Sequence, residues 1–205
     1  MKFRLTFVFL ILGIALAVLG GKGLVTSVMP AKYLYDADCD WSKLKKGQRV
    51  YVDLDYVWDW YEESTSDGNS VSRLYAVPET RYDGNENKTY FLSITARANE
   101  YSQFDKLAED SYDYDMGEYE QLGERGYIPY DGYLRKMDDE ELGFLHNYLK
   151  ECGFTETEIN DMVIPLKIVR NQTLLTNVLM FAGGIVLTIL GGVFGFIFFI
   201  KKGGN

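Results

Sequence analysis

Residues 5–21 and 178–200 carry no charged side chain, and all 30 acidic residues of the chain lie between them. Such an arrangement predicts a protein held in a membrane by both ends, with the segment between the two runs presented as a folded module on one side. At ~1.5 Å rise per residue, the second run gives roughly 34 Å, enough to cross a hydrocarbon core of ~30 Å. The first run is shorter, and the leader Lys2/Arg4 before it also fits a secretory signal sequence. A cleavage site wants small residues one and three positions before the cut. Val18 with Gly20, or Ala17 with Leu19, meet that demand poorly, and no lipoprotein cysteine follows. The run is therefore read as an uncleaved anchor that continues past Lys22 toward Val28, the lysine snorkelling to the interface.

Lys2 and Arg4 precede the first span, and Lys201 and Lys202 follow the second. By the positive-inside rule both termini are expected in the cytoplasm and the central segment outside it, in the plasma membrane. Without those four cations the 21 Lys+Arg fall to 17 against 30 acids, a net charge of −13 for the centre. A surface so negative excludes nucleic acid as a partner and favours cationic ones, or plain solubility.

The expected organisation is an anchor at 1–28, a linker at 29–46, an α+β domain at 47–172, and a helix with a basic tail at 173–205. Within the domain, residues 50–60 alternate: Val50, Val52, Leu54, Tyr56, Trp58 and Trp60 face one way, and Asp53, Asp55 and Asp59 the other. This predicts one long strand. Residues 62–70 read as a turn or mobile loop, 72–77 as a strand stopped by Pro78, and 88–96 as a third strand reached through Asp83-Gly84-Asn85. An antiparallel meander follows from these.

Tyr101, Phe104, Leu107, Ala108 and Tyr112 have helical spacing, which the acidic stretch 110–120 then dissolves into a loop. Strand character returns over 126–137. Asp138 with Glu141, and Thr155 with Glu158, form capping-box patterns for two helices, the first with the stripe Leu142, Leu145, Leu149 and Cys152 and a stop at Gly153. Residues 166–170 read as a last strand. The fold class is α+β, a small curled sheet of OB-like kind with helices, flanked by two transmembrane helices.

The succession Gly47-Gln48-Arg49-Val50-Tyr51-Val52, Tyr75-Ala76-Val77-Pro78, Phe104-Asp105-Lys106-Leu107 and Gly132-Tyr133-Leu134-Arg135-Lys136-Met137-Asp138 resembles an uncharacterised family of two-span membrane proteins from Gram-positive, clostridia-like bacteria. The resemblance implies a bacterial plasma-membrane protein with an OB-like extracytoplasmic domain, and no family catalytic residues.

Cys39 and Cys152 are the only cysteines, and an extracytoplasmic location permits a disulfide between them. Alternatively, Cys152 is a core residue continuing the helical stripe. No metal site is expected from the lone His146 and two cysteines. His146 lies within a helix pattern with no nucleophile motif such as G-x-S-x-G nearby. Calcium-loop starts at Asp36-Ala37-Asp38 and at Asp83-Gly84-Asn85 lack the required glycine and terminal glutamate. Gly20-Gly21-Lys22-Gly23 lacks the Walker spacing. The sequons Asn87-Lys88-Thr89 and Asn171-Gln172-Thr173 matter only in a eukaryotic secretory route.

What remains is binding. Among 16 tyrosines, Tyr112, Tyr114 and Tyr119 are interleaved with Asp113, Asp115 and Glu118, a candidate binding surface. In the spans, Gly13, Ala17 and Gly21 recur every four residues, as do Gly184, Thr188 and Gly192, with Gly191 and Gly195 adding a GxxxG. These stripes predict close packing of the two spans, or a homo-oligomer using the same faces. The expected function is non-catalytic and cofactor-free: a double-anchored display of an acidic domain that binds another membrane or envelope protein. A ligand or cation sensor using the tyrosine-rich loop is the alternative.

Overall fold

The computed structural model describes residues 2–82, 86–118, 120–171 and 174–203, with side chains between Thr6 and Ile197. The turn Asp83-Gly84-Asn85, Tyr119, most of the second sequon and the side chains of Lys2, Arg4, Lys201 and Lys202 lie outside the described residues. In chain order the elements are α1 (Lys2–Val28), β1 (Lys32–Tyr33), a 3-10 turn (Trp41–Lys43), β2 (Arg49–Leu54), β3 (Trp60–Ser66), β4 (Asn69–Tyr82), β5 (Asn87–Arg97), α2 (Tyr101–Asp115), β6 (Ile128–Lys136), α3 (Asp139–Glu151), α4 (Glu156–Met162), β7 (Val163–Arg170) and α5 (Leu174–Gly203). They divide into two units: Met1–Met29 with Asn171–Asn205, and Pro30–Arg170.

In the first unit α1 and α5 pack on each other, and each contains a stretch long and apolar enough to cross a membrane, Thr6–Val28 and Leu174–Ile197. Small residues set their approach. A Cβ on Gly13 would lie 2.6 Å from the Thr188 backbone nitrogen, and one on Gly184 would overlap the backbone of Ala17. Gly191 meets Leu10 and Gly195 meets Thr6, whereas Gly192 faces open space. Gly21 meets only the Phe181 ring. The sequence stripes missed Gly20 and Gly23, which lie against Phe181 and Asn177. Asn177 is buried and donates from Nδ2 to Ser27 Oγ at 3.0 Å. Large apolar residues such as Phe7, Val18, Leu179, Ile189 and Phe196 point outward.

The second unit is built on one mixed sheet in the order β1-β2-β6-β7-β5-β4-β3. β7 lies between β6 and β5, antiparallel to the first and parallel to the second, and β1 is parallel to β2, so an antiparallel meander is present in β3-β4-β5 but the sheet that contains it is mixed. Five residues join β2 to β3, a reach of roughly 20 Å, although five strand spacings would set these strands roughly 24 Å apart in a flat sheet. The sheet therefore curls, but it is not a closed barrel, and its seven strands are two more than the five of an OB-fold.

Both faces are covered. On one, Tyr75, Val77, Leu92, Ile94 and Leu134 pack with Phe104 and Leu107 of α2 and with Leu34, Cys39, Trp41 and Leu44. On the other, Ala76, Phe91 and Met137 meet Leu145, Leu149 and Ile159 of α3 and α4. Double coverage explains why residues 74–77 and 91–94 are buried without alternation.

Several expectations change. Alternation holds through β2, where Val50, Val52 and Leu54 are buried, but Val57 and not Tyr56 comes next. The Val57 N–H donates to Ser111 Oγ (3.0 Å) and the Trp58 N–H to Ala76 O (2.8 Å), so residues 55–59 cross between strands instead of extending one. The loop expected at 62–70 is β3 and a hairpin. Asp67 (φ 52°) and Gly68 (φ 78°) make its two-residue turn, the Asp-Gly pairing that positive φ favours. β3 is polar because it is an edge strand. Pro78 lies inside β4 opposite Phe91, beyond the last β3 partner, Tyr75, where no outer strand needs its missing N–H.

Residues 30–46, expected as a linker, are folded into the core. Trp41 donates from Nε1 to Leu34 O (3.0 Å), and Arg81 donates to Leu34 O and Asp36 O (both 2.7 Å). The disulfide is not formed: Cys39 and Cys152 are free thiols, the first buried in that segment, the second exposed. Cys152 also leaves the α3 stripe, because it caps the helix end. Both capping boxes are present, at Asp138/Glu141 and Thr155/Glu158, and Gly153 (φ +97°) ends α3.

Candidate functional site

α2 runs to Asp115, three turns beyond its first buried residue, because Phe104, Leu107 and Ser111 keep one side on the core. Tyr112, Asp113, Tyr114 and Asp115 are thus helical and not part of a loop. The Ser111 hydroxyl donates to Leu107 O (2.8 Å) while accepting from the Val57 N–H, and this ties the helix to the 55–59 crossing.

Between them lies an open groove of about 570 Å³. Trp58 of the crossing, Trp60 at the start of β3, Tyr112 of α2 and Tyr148 of α3 supply four aromatic rings, and Asp59, Asp105, Glu109 and Asp115 supply four carboxylates. Val57, Ala108, Ser111 and Cys152 complete the wall, and among the described residues no lysine, arginine or histidine lines it. Asp105 is committed to Arg73 (Nη1 to Oδ2, 3.1 Å), whose guanidinium sits between the rings of Trp60 (4.7 Å) and Tyr101 (4.3 Å). Glu109 is exposed and enters no ion pair among the described residues. Burial pushes the Cys152 thiol above its ordinary pKa, the opposite of activation as a nucleophile.

A second groove of about 510 Å³ shares Trp58 and Asp115 with the first and adds Tyr35, Asp55, Tyr56, Glu79 and Tyr114. The ridge between the two is fixed by a relay in which Trp58 Nε1 donates to Tyr56 Oη (2.9 Å), which donates to Asp115 Oδ2 (2.6 Å). Tyr114 packs edge-on against Tyr56.

Burial raises the pKa of Asp55, with Asp53 adding to it; burial likewise raises Glu79, against the opposing charge of Arg81. In the unfolded chain both carboxyls return to ordinary values. The charged forms therefore weigh against folding at neutral pH, and that penalty is relieved as pH falls through the raised folded values. Asp55→Asn is expected to raise the thermal midpoint at neutral pH and to shrink the stabilisation gained as pH falls from neutral through the raised carboxyl value. A variant with the parent's full gain would contradict this account.

Of the other residues read from sequence, Asp113 is paired with Arg125 (2.8 Å), and Glu118 is exposed, its N–H donating to Asp113 O. His146 lies 4.0 Å from Glu156, which also holds Lys150. Among the described residues no three His, Cys, Asp or Glu are placed to hold a metal ion. Trp58, Asp59, Trp60, Glu109 and Tyr148 are groove residues that sequence reasoning missed; the only signal was Val57, an apolar residue out of phase with the alternation read over 50–60.

A family model described as Domain of unknown function (DUF8577) matches residues 1–201. The chain belongs to DUF8577. The match takes in both apolar helices and the domain between them, so the helices are part of what defines a DUF8577 protein. No curated protein and no solved structure matches the DUF8577 chain.

Proposed function

We propose that this DUF8577 protein is held in a bacterial plasma membrane by α1 and α5, with both termini cytoplasmic, and displays Pro30–Arg170 outside the cytoplasm as a non-catalytic binding module. Its occupant is a basic, lysine- or arginine-bearing segment of another membrane or envelope protein, taken by the acidic aromatic groove. The groove carries the reading. Carboxylates attract a cation from a distance, and Trp and Tyr faces hold it at close range with little loss of side-chain entropy. The membrane placement is supported by α1 and α5 putting small residues inside their contact and large apolar ones outside, the reverse of a water-soluble hairpin. The groove's volume also suits a small organic cation, which keeps a sensor as the second reading.

A photo-crosslinking amino acid at Tyr112 is expected to join the protein to one partner in intact membranes, whereas the same group at exposed Glu140 is not. Asp59→Lys with Glu109→Lys should lower adduct yield about tenfold or more, since like charges then face each other. Unchanged yield would sink the proposal. Quenching of tryptophan fluorescence by spermidine, with no protein adduct, would move the function to cation sensing.

A further inference from the structure

We infer that a second, oppositely charged cleft of Pro30–Arg170 binds a phosphate monoester carried on an apolar body. The cleft, of about 450 Å³, opens where three neighbouring strands share one end: Lys136 closes β6, Val163 to Leu166 begin β7, and Lys88 and Tyr90 stand near the start of β5. Lys46, just before the Gly47 turn, and Ser42 of the 3-10 turn form the facing wall.

Three ammonium groups and one carboxylate, Asp161, line this cleft, a local excess of two positive charges in a chain of net charge −9. Random placement of side chains in so acidic a protein favours the reverse. Lys88 is held by Asp161 (2.8 Å) and lies over the Tyr90 ring (5.4 Å), so it is positioned, while Asp161 remains exposed. Lys46 and Lys136 are exposed and enter no ion pair among the described residues. An excess of two charges matches a phosphate monoester, which carries about −1.5 to −2 at neutral pH, and ammonium groups on flexible stems serve as point-charge donors to its oxygens.

The floor is apolar. Half-buried Val163 and exposed Pro165 lie over the buried Leu44, Ile164 and Leu166, so an inorganic ion alone leaves the Val163 and Pro165 surface uncovered. The chemistry thus asks for an organophosphate, whether soluble or the headgroup and upper chain of an anionic lipid.

The test uses the full chain in zwitterionic nanodiscs, titrated calorimetrically with phenyl phosphate and with inorganic phosphate. Phenyl phosphate is expected to bind more tightly than inorganic phosphate. Lys46→Ala with Lys136→Ala should weaken it about tenfold or more, each lysine supplying a charge-assisted hydrogen bond. Lys150→Ala, at the exposed Glu156 pair outside the cleft, should not. Loss of phenyl phosphate binding when phosphatidic acid is added to the nanodiscs would assign the site to a lipid headgroup. Retained binding would assign it to a soluble organophosphate. No binding of phenyl phosphate, or equal binding by the double lysine variant, would overturn the inference. Because the acidic groove shares no residue with this cleft, failure here leaves the cationic-partner reading untouched.

Discussion

Gly184→Leu is expected to separate α1 from α5 and to lower sharply the yield of a disulfide engineered between Leu10→Cys and Gly191→Cys. A Cβ on Gly191 would lie 3.3 Å from the Leu10 Cβ, close to the roughly 3.5–4.5 Å that a disulfide spans. In a background with Cys39→Ala and Cys152→Ser, the parent pair should therefore oxidise readily. At Gly184 any Cβ meets backbone, the nitrogen and Cα of Ala17 and the carbonyl of Gly13, so no rotamer change relieves the overlap. Apolar tails around a membrane hairpin are as apolar as leucine, and close packing is what holds such helices together. A clash of this kind costs about 1–3 kcal/mol or more, and crosslinking yield should fall about tenfold. Gly192→Leu supplies the contrast, since its Cβ meets nothing within 4 Å. If Gly192→Leu reduced the yield as Gly184→Leu does, the packed face would have been assigned to the wrong side of α5.

How far the sequence discloses this architecture depends on whether a pattern is local. The capping boxes at Asp138/Glu141 and Thr155/Glu158 are complete within four residues, and both form as read. The apolar helices are legible for the same reason. Strand order is not local. β7 enters the sheet between β6 and β5, and nothing in its own residues says that it runs parallel to one and antiparallel to the other. Polar composition misled at β3, because an edge strand facing solvent has the same Ser, Thr and Glu content as a loop; the Asp67-Gly68 turn was the stronger signal.

The groove was half legible. Tyr112 and Asp115 stood out in the stretch of tyrosines interleaved with acids, but they acquire meaning only beside Trp58 of the crossing, Trp60 of β3 and Tyr148 of α3. The lysine cleft was illegible, for Lys46, Lys88 and Lys136 are separated by 42 and 48 residues and join only when three strands end together.

Phe104→Ala should produce the largest loss of stability in Pro30–Arg170. The ring is fully buried, 5.0 Å from Tyr75 and 6.1 Å from Tyr130, and it is the main anchor of α2 to the sheet. Removing it leaves a cavity between the Tyr75 and Tyr130 rings, at about 3–5 kcal/mol. In a domain of this size that lowers the thermal midpoint by roughly 10 °C. Trp41, Trp58 and Trp60 are the chain's three tryptophans and all lie in this unit, so their fluorescence reports its unfolding apart from the two apolar helices. Tyr112→Ala, on the exposed side of the same helix, should stay within about 0.5 kcal/mol of the parent while removing an aromatic wall of the groove. The two substitutions therefore separate what holds α2 in place from what α2 presents. Equal midpoints for the pair would mean that Phe104 does not anchor the helix, and the groove would lose the rigid wall on which recognition of a cationic segment depends.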